Sequence, residues 1–187
     1  MSHTVGYTNS ARFKALEDLQ KASVDLCLTY CGWEHCRPSY RFGPNGRATH
    51  VLHLVREGKG TLEMNKKKYY LTKGDMFYIS PAVNAWYEAD QEEPWSYIWI
   101  GFVGLKADEY VDGAGFSLKS PVRKIDCTER VESCIEQMLE AYQQTFGNEL
   151  RRNGLLLLCF SELIDDYCKK YAEGGSWQII PARARYM

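Results

Sequence analysis

The stretch that decides the fold runs from His50 to Val103: HVLHLVREGKGTLEMNKKKYYLTKGDMFYISPAVNAWYEADQEEPWSYIWIGFV. Short apolar and aromatic runs alternate in it with turn residues, the pattern of consecutive strands. His50 to Arg56 reads as a strand closed by Glu57-Gly58-Lys59-Gly60. Thr61 to Met64 and Lys68 to Leu71 flank Asn65-Lys66-Lys67, which predicts a hairpin. Lys73-Gly74-Asp75 turns into the strand Met76 to Ser80, which Pro81 ends. Asn84 to Ala89 and Trp95 to Val103 are two further strands around the turn Asp90 to Pro94. Many short strands at even spacing, punctuated by Gly and Pro, suggest a barrel or jelly roll.

Outward from this stretch the period changes on both sides. Upstream, Phe13, Leu16 and Leu19 repeat at helical spacing, so Asn9 to Ala22 is expected to be a helix. Val24 to Tyr30 reads as a strand followed by the turn Cys31-Gly32. Arg37 to Arg47, with Pro38, Gly43, Pro44 and Gly46, reads as a bent connection. Downstream, Val131, Cys134, Ile135, Met138, Leu139, Tyr142 and Phe146 form one helical stripe from Thr128 onward, broken at Gly147-Asn148. A second helix is expected from about Glu149 to Ala172, with Leu156, Phe160, Leu163, Ile164 and Tyr167 on its apolar side. The division that follows is a β body with an N-terminal helix over 1–127, a helical appendage over 128–173 and a linker over 174–187.

Composition narrows the function. The chain has 187 residues, enough to bury a core without disulfides or metal. Its 23 basic and 24 acidic residues leave a net charge of −1, without the basic excess that a nucleic-acid grip requires. Lys66-Lys67-Lys68 and Arg151-Arg152 are short clusters, read as a turn tip and a helix face. The seven cysteines are irregularly spaced. With no signal peptide and no apolar run near the ~20 residues of a membrane span, they read as reduced thiols in a cytoplasm.

At this point the sequence resembles a known family. From roughly Gly32 to Gly104 it is similar to the N-terminal effector-binding domain of AraC-type transcription regulators. The motifs that carry the likeness are the Gly58-Lys59-Gly60 turn, the Lys73-Gly74-Asp75 turn and Pro94-Trp95-Ser96-Tyr97-Ile98-Trp99-Ile100-Gly101-Phe102. The resemblance implies a mainly β fold: a cupin-type, double-stranded β-helix or jelly-roll barrel followed by an antiparallel helix pair. It further implies a small effector, often a sugar, and a homodimer formed through the helices, with Leu156, Phe160, Leu163, Ile164 and Tyr167 as the dimerisation set. In that family a domain with two helix-turn-helix motifs normally follows and binds DNA. No such pattern is present here, and Ala182-Arg183-Ala184-Arg185-Tyr186-Met187 resembles the approach to one. A piece of a longer regulator is therefore expected rather than a freestanding sensor.

The rival reading is a metal-dependent cupin enzyme, a dioxygenase or a sugar isomerase. Such a site needs two histidines on one strand face, two residues apart. His50 and His53 are three apart and point to opposite sides, and no histidine follows Pro81. Cys27 and Cys31 share a strand face, but four residues at ~3.3 Å place them too far apart for one zinc. No catalytic residue, metal or cofactor is expected.

The ligand site follows partly from alternation. Val51, His53, Val55 and Glu57 share one face of their strand, and Trp95, Tyr97 and Trp99 share one face of theirs. The resemblance points inward at Glu57, Tyr87, Tyr97 and Trp99, with Glu34 near the rim. The expected ligand-binding set is therefore Glu34, His53, Glu57, Tyr87, Trp95, Tyr97 and Trp99. Aromatic plates stack on the apolar face of a sugar ring, while carboxylate, phenol and imidazole groups bond its hydroxyls. Cys36, Arg37 and Tyr40 either line the entrance or pack the bend.

Overall fold

The structure is a computed structural model that describes residues 6–19, 23–43 and 48–172. The expected linker over 174–187 lies outside the described residues. So do 20–22 of the expected N-terminal helix and 44–47 of the expected bend.

The decisive stretch forms the strands expected of it. They are β5 (His50–Glu57), β6 (Lys59–Met64), β7 (Lys67–Thr72), β8 (Asp75–Ile79), β9 (Ala85–Ala89) and β10 (Ser96–Val103). Upstream lie β1 (Gly6–Asn9), β2 (Phe13–Glu17), β3 (Cys27–His35) and the two-residue β4 (Arg41–Phe42). Downstream come α1 (Ala107–Gly113), β11 (Val122–Lys124), α2 (Thr128–Glu140) and α3 (Phe146–Ala172). One sheet has the order β1-β2-β3-β10-β5-β8-β11 and the other β4-β9-β6-β7, and the strand pairs within each are antiparallel. The β6–β7 turn places Asn65 and Lys66 at positive φ, the two-residue turn whose twist suits a hairpin.

The N-terminal helix does not form. Residues 6–17 make a hairpin instead, with Asn9 paired to Lys14 and the Phe13 N–H donated to Ser10 Oγ. Phe13 and Leu16 do not share a face here. Leu16 is buried on the helix-covered side of the large sheet, whereas Ala15, with Phe13 against it, belongs to the cluster between the sheets. Pairing β2 onto β3 satisfies its backbone and buries both faces, which outweighs a helical spacing carried by three residues.

Alternation along the central strands builds two cores. Val51 and Val55 of β5, Phe77 and Ile79 of β8, and Trp95, Tyr97 and Trp99 of the last barrel segment gather between the sheets. Leu52, Leu54, Met76, Ile98, Ile100 and Phe102 face the other way, into a cluster shared with both long helices. His50 and His53 do point to opposite sides. His50 bonds Tyr78 Oη through Nδ1 at 2.8 Å and stacks near Phe102, while His53 stacks on Phe77 with ring centroids 4.4 Å apart.

The helical segment shares a core with the barrel. Val131, Ile135 and Met138 of α2 and Leu156, Cys159, Phe160 and Leu163 of α3 close the outer face of the large sheet. The pairings Arg130–Glu162 and Arg152–Ala141 show that the helices run antiparallel. The break between them falls earlier than expected, at residues 141–145. Thr145 Oγ accepts the Asn148 N–H at 3.2 Å, so a capping threonine starts α3 and Gly147 falls within its first turn. Tyr142 leaves the helical stripe and stacks on Tyr7 of β1, centroids 4.3 Å apart. At the other end, Asp166 of α3 accepts Arg123 Nη1 at 2.7 Å and the N–H groups of Asp126 and Cys127 at 2.8 and 3.1 Å, which ties α3 to the start of α2. No helix among the described residues is long and apolar enough to cross a membrane.

Candidate functional site

Between the two sheets, at one end of the barrel, lies a cavity of about 250 Å³ lined by Phe13, Glu17, Glu34, Tyr40, Phe42, His53, Tyr87, Tyr97 and Trp99. Each strand contributes through its alternation. β10 supplies Tyr97 and Trp99, β5 supplies His53, β3 supplies Glu34, and β2 supplies Phe13 and Glu17. β4 and β9 close it with the stacked pair Phe42 and Tyr87, centroids 5.1 Å apart.

Trp99 is placed by what it faces. Its cross-strand partner on β3 is Gly32, where a Cβ would overlap the Trp99 ring. The missing side chain makes room for the indole against the strand, with the Phe13 ring tilted beside it at a centroid distance of 5.8 Å. Tyr97 stands beside it and donates its hydroxyl to Glu34 Oε2 at 3.0 Å, across the pair that β3 and β10 form at this register. Burial pushes the Glu34 carboxyl above its ordinary value, and the bond from Tyr97 only partly offsets this. Burial pushes the Tyr97 phenol up as well, so it remains a protonated donor. His53 closes the floor between Phe77 and the edge of Tyr97. The result is a chamber lined by both kinds of group: the rings of Phe13, Phe42 and Trp99 beside three phenols, His53 and the carboxylates of Glu17 and Glu34.

Five of the seven expected ligand residues, Glu34, His53, Tyr87, Tyr97 and Trp99, meet in this cavity. Two do not. Glu57 lies in a separate polar groove with His35, Arg56, Lys73, Ser96 and Thr128, its carboxylate 3.4 Å from His35 Nδ1. The cause is an irregularity in the β5–β10 ladder. Tyr97 pairs with Val55 and Ser96 with Glu57, so Arg56 is skipped and the alternation that would have turned Glu57 inward is lost. Trp95 is only 1% exposed and does not line the cavity. Its ring fills the space left by Gly60, where a Cβ would overlap it, and packs near Phe77.

Sequence reasoning missed Phe13, Glu17 and Phe42. The signal for the first two was the two-residue period of Phe13, Ala15 and Glu17, hidden by reading a helix. Tyr40 was left open between entrance and bend, and it reaches the cavity; Cys36, only 5% exposed, belongs to the core. The five residues expected to dimerise pack within the chain to different extents. Leu156, Phe160 and Leu163 are fully buried against the chain's own sheet and α2, because an uncovered sheet face lies directly beneath them. Ile164 and Tyr167 pack beside the tight turn that follows α1, under Gly113 and Gly115.

The cysteines offer no nucleophile where burial dominates. All seven are thiols. Burial pushes Cys31 and Cys36 up to about 12 and Cys127 up to about 11, far from thiolate formation at neutral pH. Among the described residues no group of three or more His, Cys, Asp or Glu side chains is placed to hold a metal ion.

The architecture is two antiparallel sheets with a cavity between them and two long helices over the outer face of the larger sheet. The chain belongs to the family of AraC-like ligand-binding domains, which its residues 29–160 match. It is 34% identical over 157 residues to the Msm operon regulatory protein of Streptococcus mutans, covering 81% of this chain and 55% of that protein. It is 33% identical over 110 residues to the raffinose operon transcriptional regulatory protein RafR of Pediococcus pentosaceus, covering 57% and 40%. Over 92 residues it is 32% identical to the lactose operon transcription activator of Staphylococcus xylosus, covering 49% and 33%. These relatives are regulators rather than enzymes, and the chain spans about half or less of their length.

Proposed function

We propose that this chain is the effector-sensing part of a cytoplasmic, sugar-responsive transcription regulator, its cavity taking one saccharide ring. The observation that carries this reading is the meeting of Trp99, Tyr97 and Glu34 in one chamber: a flat indole for the apolar face of a ring, beside a phenol–carboxylate pair for its hydroxyls. The names of two relatives, raffinose and lactose operon regulators, support a saccharide. On this reading DNA is bound by a part of the regulator other than these residues, and the chain's net charge of −1 agrees with that.

A thermal-shift series with raffinose, lactose and other saccharides tests the proposal, since a ligand that binds only the folded state raises the melting temperature. A dose-dependent rise that Trp99→Ala abolishes is the expected outcome. No rise with any saccharide at millimolar concentration would refute it.

A second copy of the chain belongs to the same reading. With Leu156, Phe160 and Leu163 buried, the large apolar residues that α3 leaves exposed are Phe146, Leu150, Leu157 and Leu158, the first three spaced four and seven apart along the helix. A homodimer through this face is the proposal. Light scattering of Leu150→Glu/Leu157→Glu should show a monomer where the parent shows a dimer, and a monomeric parent at tens of micromolar overturns it.

A further inference from the structure

We propose, building on the saccharide reading, that the cavity selects by charge: it takes uncharged or amino-bearing sugars and rejects phosphorylated or carboxylated ones, with Glu17 and Glu34 imposing the rule. Two carboxylates line a chamber of about 250 Å³, and among the described residues that line it there is no lysine or arginine. The other lining groups are His53, three tyrosines, two phenylalanines and Trp99. Phenols and indole donate hydrogen bonds or offer π faces without carrying positive charge, and His53, the one lining side chain able to carry it, is buried and stacked on Phe77.

Two cations on the lining strands, Arg41 and Lys14, are turned elsewhere. On β4, Phe42 pairs with Tyr87 and faces inward, whereas Arg41 pairs with Glu88 on the outward face. There the Arg41 guanidinium lies 4.4 Å from the Trp86 ring centre, and its Nε is 3.9 Å from Glu88. Lys14 alternates with Phe13 and Ala15 on β2 and so leaves the cavity side to Phe13, Ala15 and Glu17.

Glu34 is half-buried and takes one hydrogen bond from Tyr97, which leaves acceptor capacity on its carboxylate for ligand hydroxyls. A phosphate ester brought into the same space would face the half-buried Glu34 carboxylate, where like charges repel more strongly than in water, and the more exposed Glu17 carboxylate beside it. An ammonium group would meet the opposite field. The sensor would then report the pool of free sugar, ahead of any phosphorylating step that consumes it, and would be blind to the phosphorylated product.

The test uses the whole 187-residue chain with lactose, lactose 6-phosphate and lactosamine at low salt. Lactose should bind at least about tenfold more tightly than lactose 6-phosphate, and the gap should narrow in high salt. In Glu17→Gln/Glu34→Gln, shown by its melt to be folded, the gap should narrow further, while lactosamine loses its advantage. Lactose 6-phosphate binding as tightly as lactose, or more tightly, overturns the proposal.

A second measurement needs no saccharide. Quenching of Trp99 emission, taken as the difference between the parent chain and Trp99→Phe and scaled for each ion to its quenching of free tryptophan at equal ionic strength, should be stronger with caesium than with iodide. If no sugar binds, the saccharide reading fails on its own, and this comparison still decides the charge rule. Iodide quenching Trp99 as strongly as caesium overturns it.

Discussion

The two faces of β10 show what this fold does with one strand. Toward the helices, Ile98, Ile100 and Phe102 are sealed completely, with Phe160 of α3 edge-on to Phe102, centroids 5.1 Å apart. Toward the cavity, Tyr97 and Trp99 are large, polar-tipped and left against open space. Both faces exclude most water, but only one is filled. The aliphatic face gains stability from tight packing, and the aromatic face lines a cavity of about 250 Å³. A ligand-binding domain needs both, because the cavity walls hold their shape only if the reverse side of the same strand is fixed.

Breaking the sealed face should have the largest effect. Phe160→Ala removes a fully buried ring and should cost ~3–5 kcal/mol of stability in a denaturant melt. The affinity per folded molecule should change little. If Phe160→Ala instead destroyed binding in a well-folded protein, the separation of the two faces would not hold.

Next comes the tie that holds α3 over that face. Burial pushes the Asp166 carboxyl up, but the Arg123 guanidinium and the Asp126 N–H more than offset it and hold it below the ordinary range. A depressed folded value means that its contribution is present above the unfolded value near ~3.9 and is lost as pH falls through the folded one. Asp166→Asn leaves Arg123 without its carboxylate and should cost ~3 kcal/mol at pH 7. The difference from the parent should shrink in melts below about pH 4. A difference that does not change with pH would show that packing, rather than charge, holds this junction.

The cavity face should answer in affinity before stability. Trp99→Ala should weaken saccharide binding by ~1–3 kcal/mol, about ten- to over a hundredfold. Gly32→Ala should weaken binding as well and also lower stability, because its Cβ would meet both the Trp99 indole and the Lys14 carbonyl oxygen of β2. Calorimetric titration of both variants checks this, and unchanged affinity in Gly32→Ala would show that the plate tolerates another position.

The smallest effect sharpens the comparison from the opposite side. Because Glu34 is half-buried with a raised value, its ionised form opposes folding. Stability tied to it is fully present below the unfolded value and declines as pH rises through the folded one. Glu34→Gln should therefore melt slightly higher than the parent at neutral pH while binding saccharide more weakly. A fall in melting temperature would mean that the carboxylate braces Tyr97 more than it strains the fold.

How much of this was legible depends on how each residue's environment was determined. The strands from His50 to Val103 were readable because local alternation and turn residues specify them. His53, Tyr97 and Trp99 followed from that alternation, whereas Glu34 and Tyr87 came through the family resemblance. Glu57 was misplaced by a skipped residue in the β5–β10 ladder, which no property of Arg56 or Glu57 announces. Trp95 was misassigned because its burial depends on a glycine thirty-five positions earlier, Gly60 on another strand.

The sequence alone determined the elements whose periods are local and sustained: the barrel strands, the two long helices and the faces they alternate. Tertiary structure alone decided the rest. It turned residues 6–17 into a hairpin, because an open edge of β3 offers more backbone pairing than a short helix can. It buried Leu156, Phe160 and Leu163 inside one chain, because the sheet's aliphatic face lay nearer than any partner. It also gathered Glu17, Glu34 and Trp99 around one cavity, because only cross-strand register brings residues from three separate strands within reach of a single ligand.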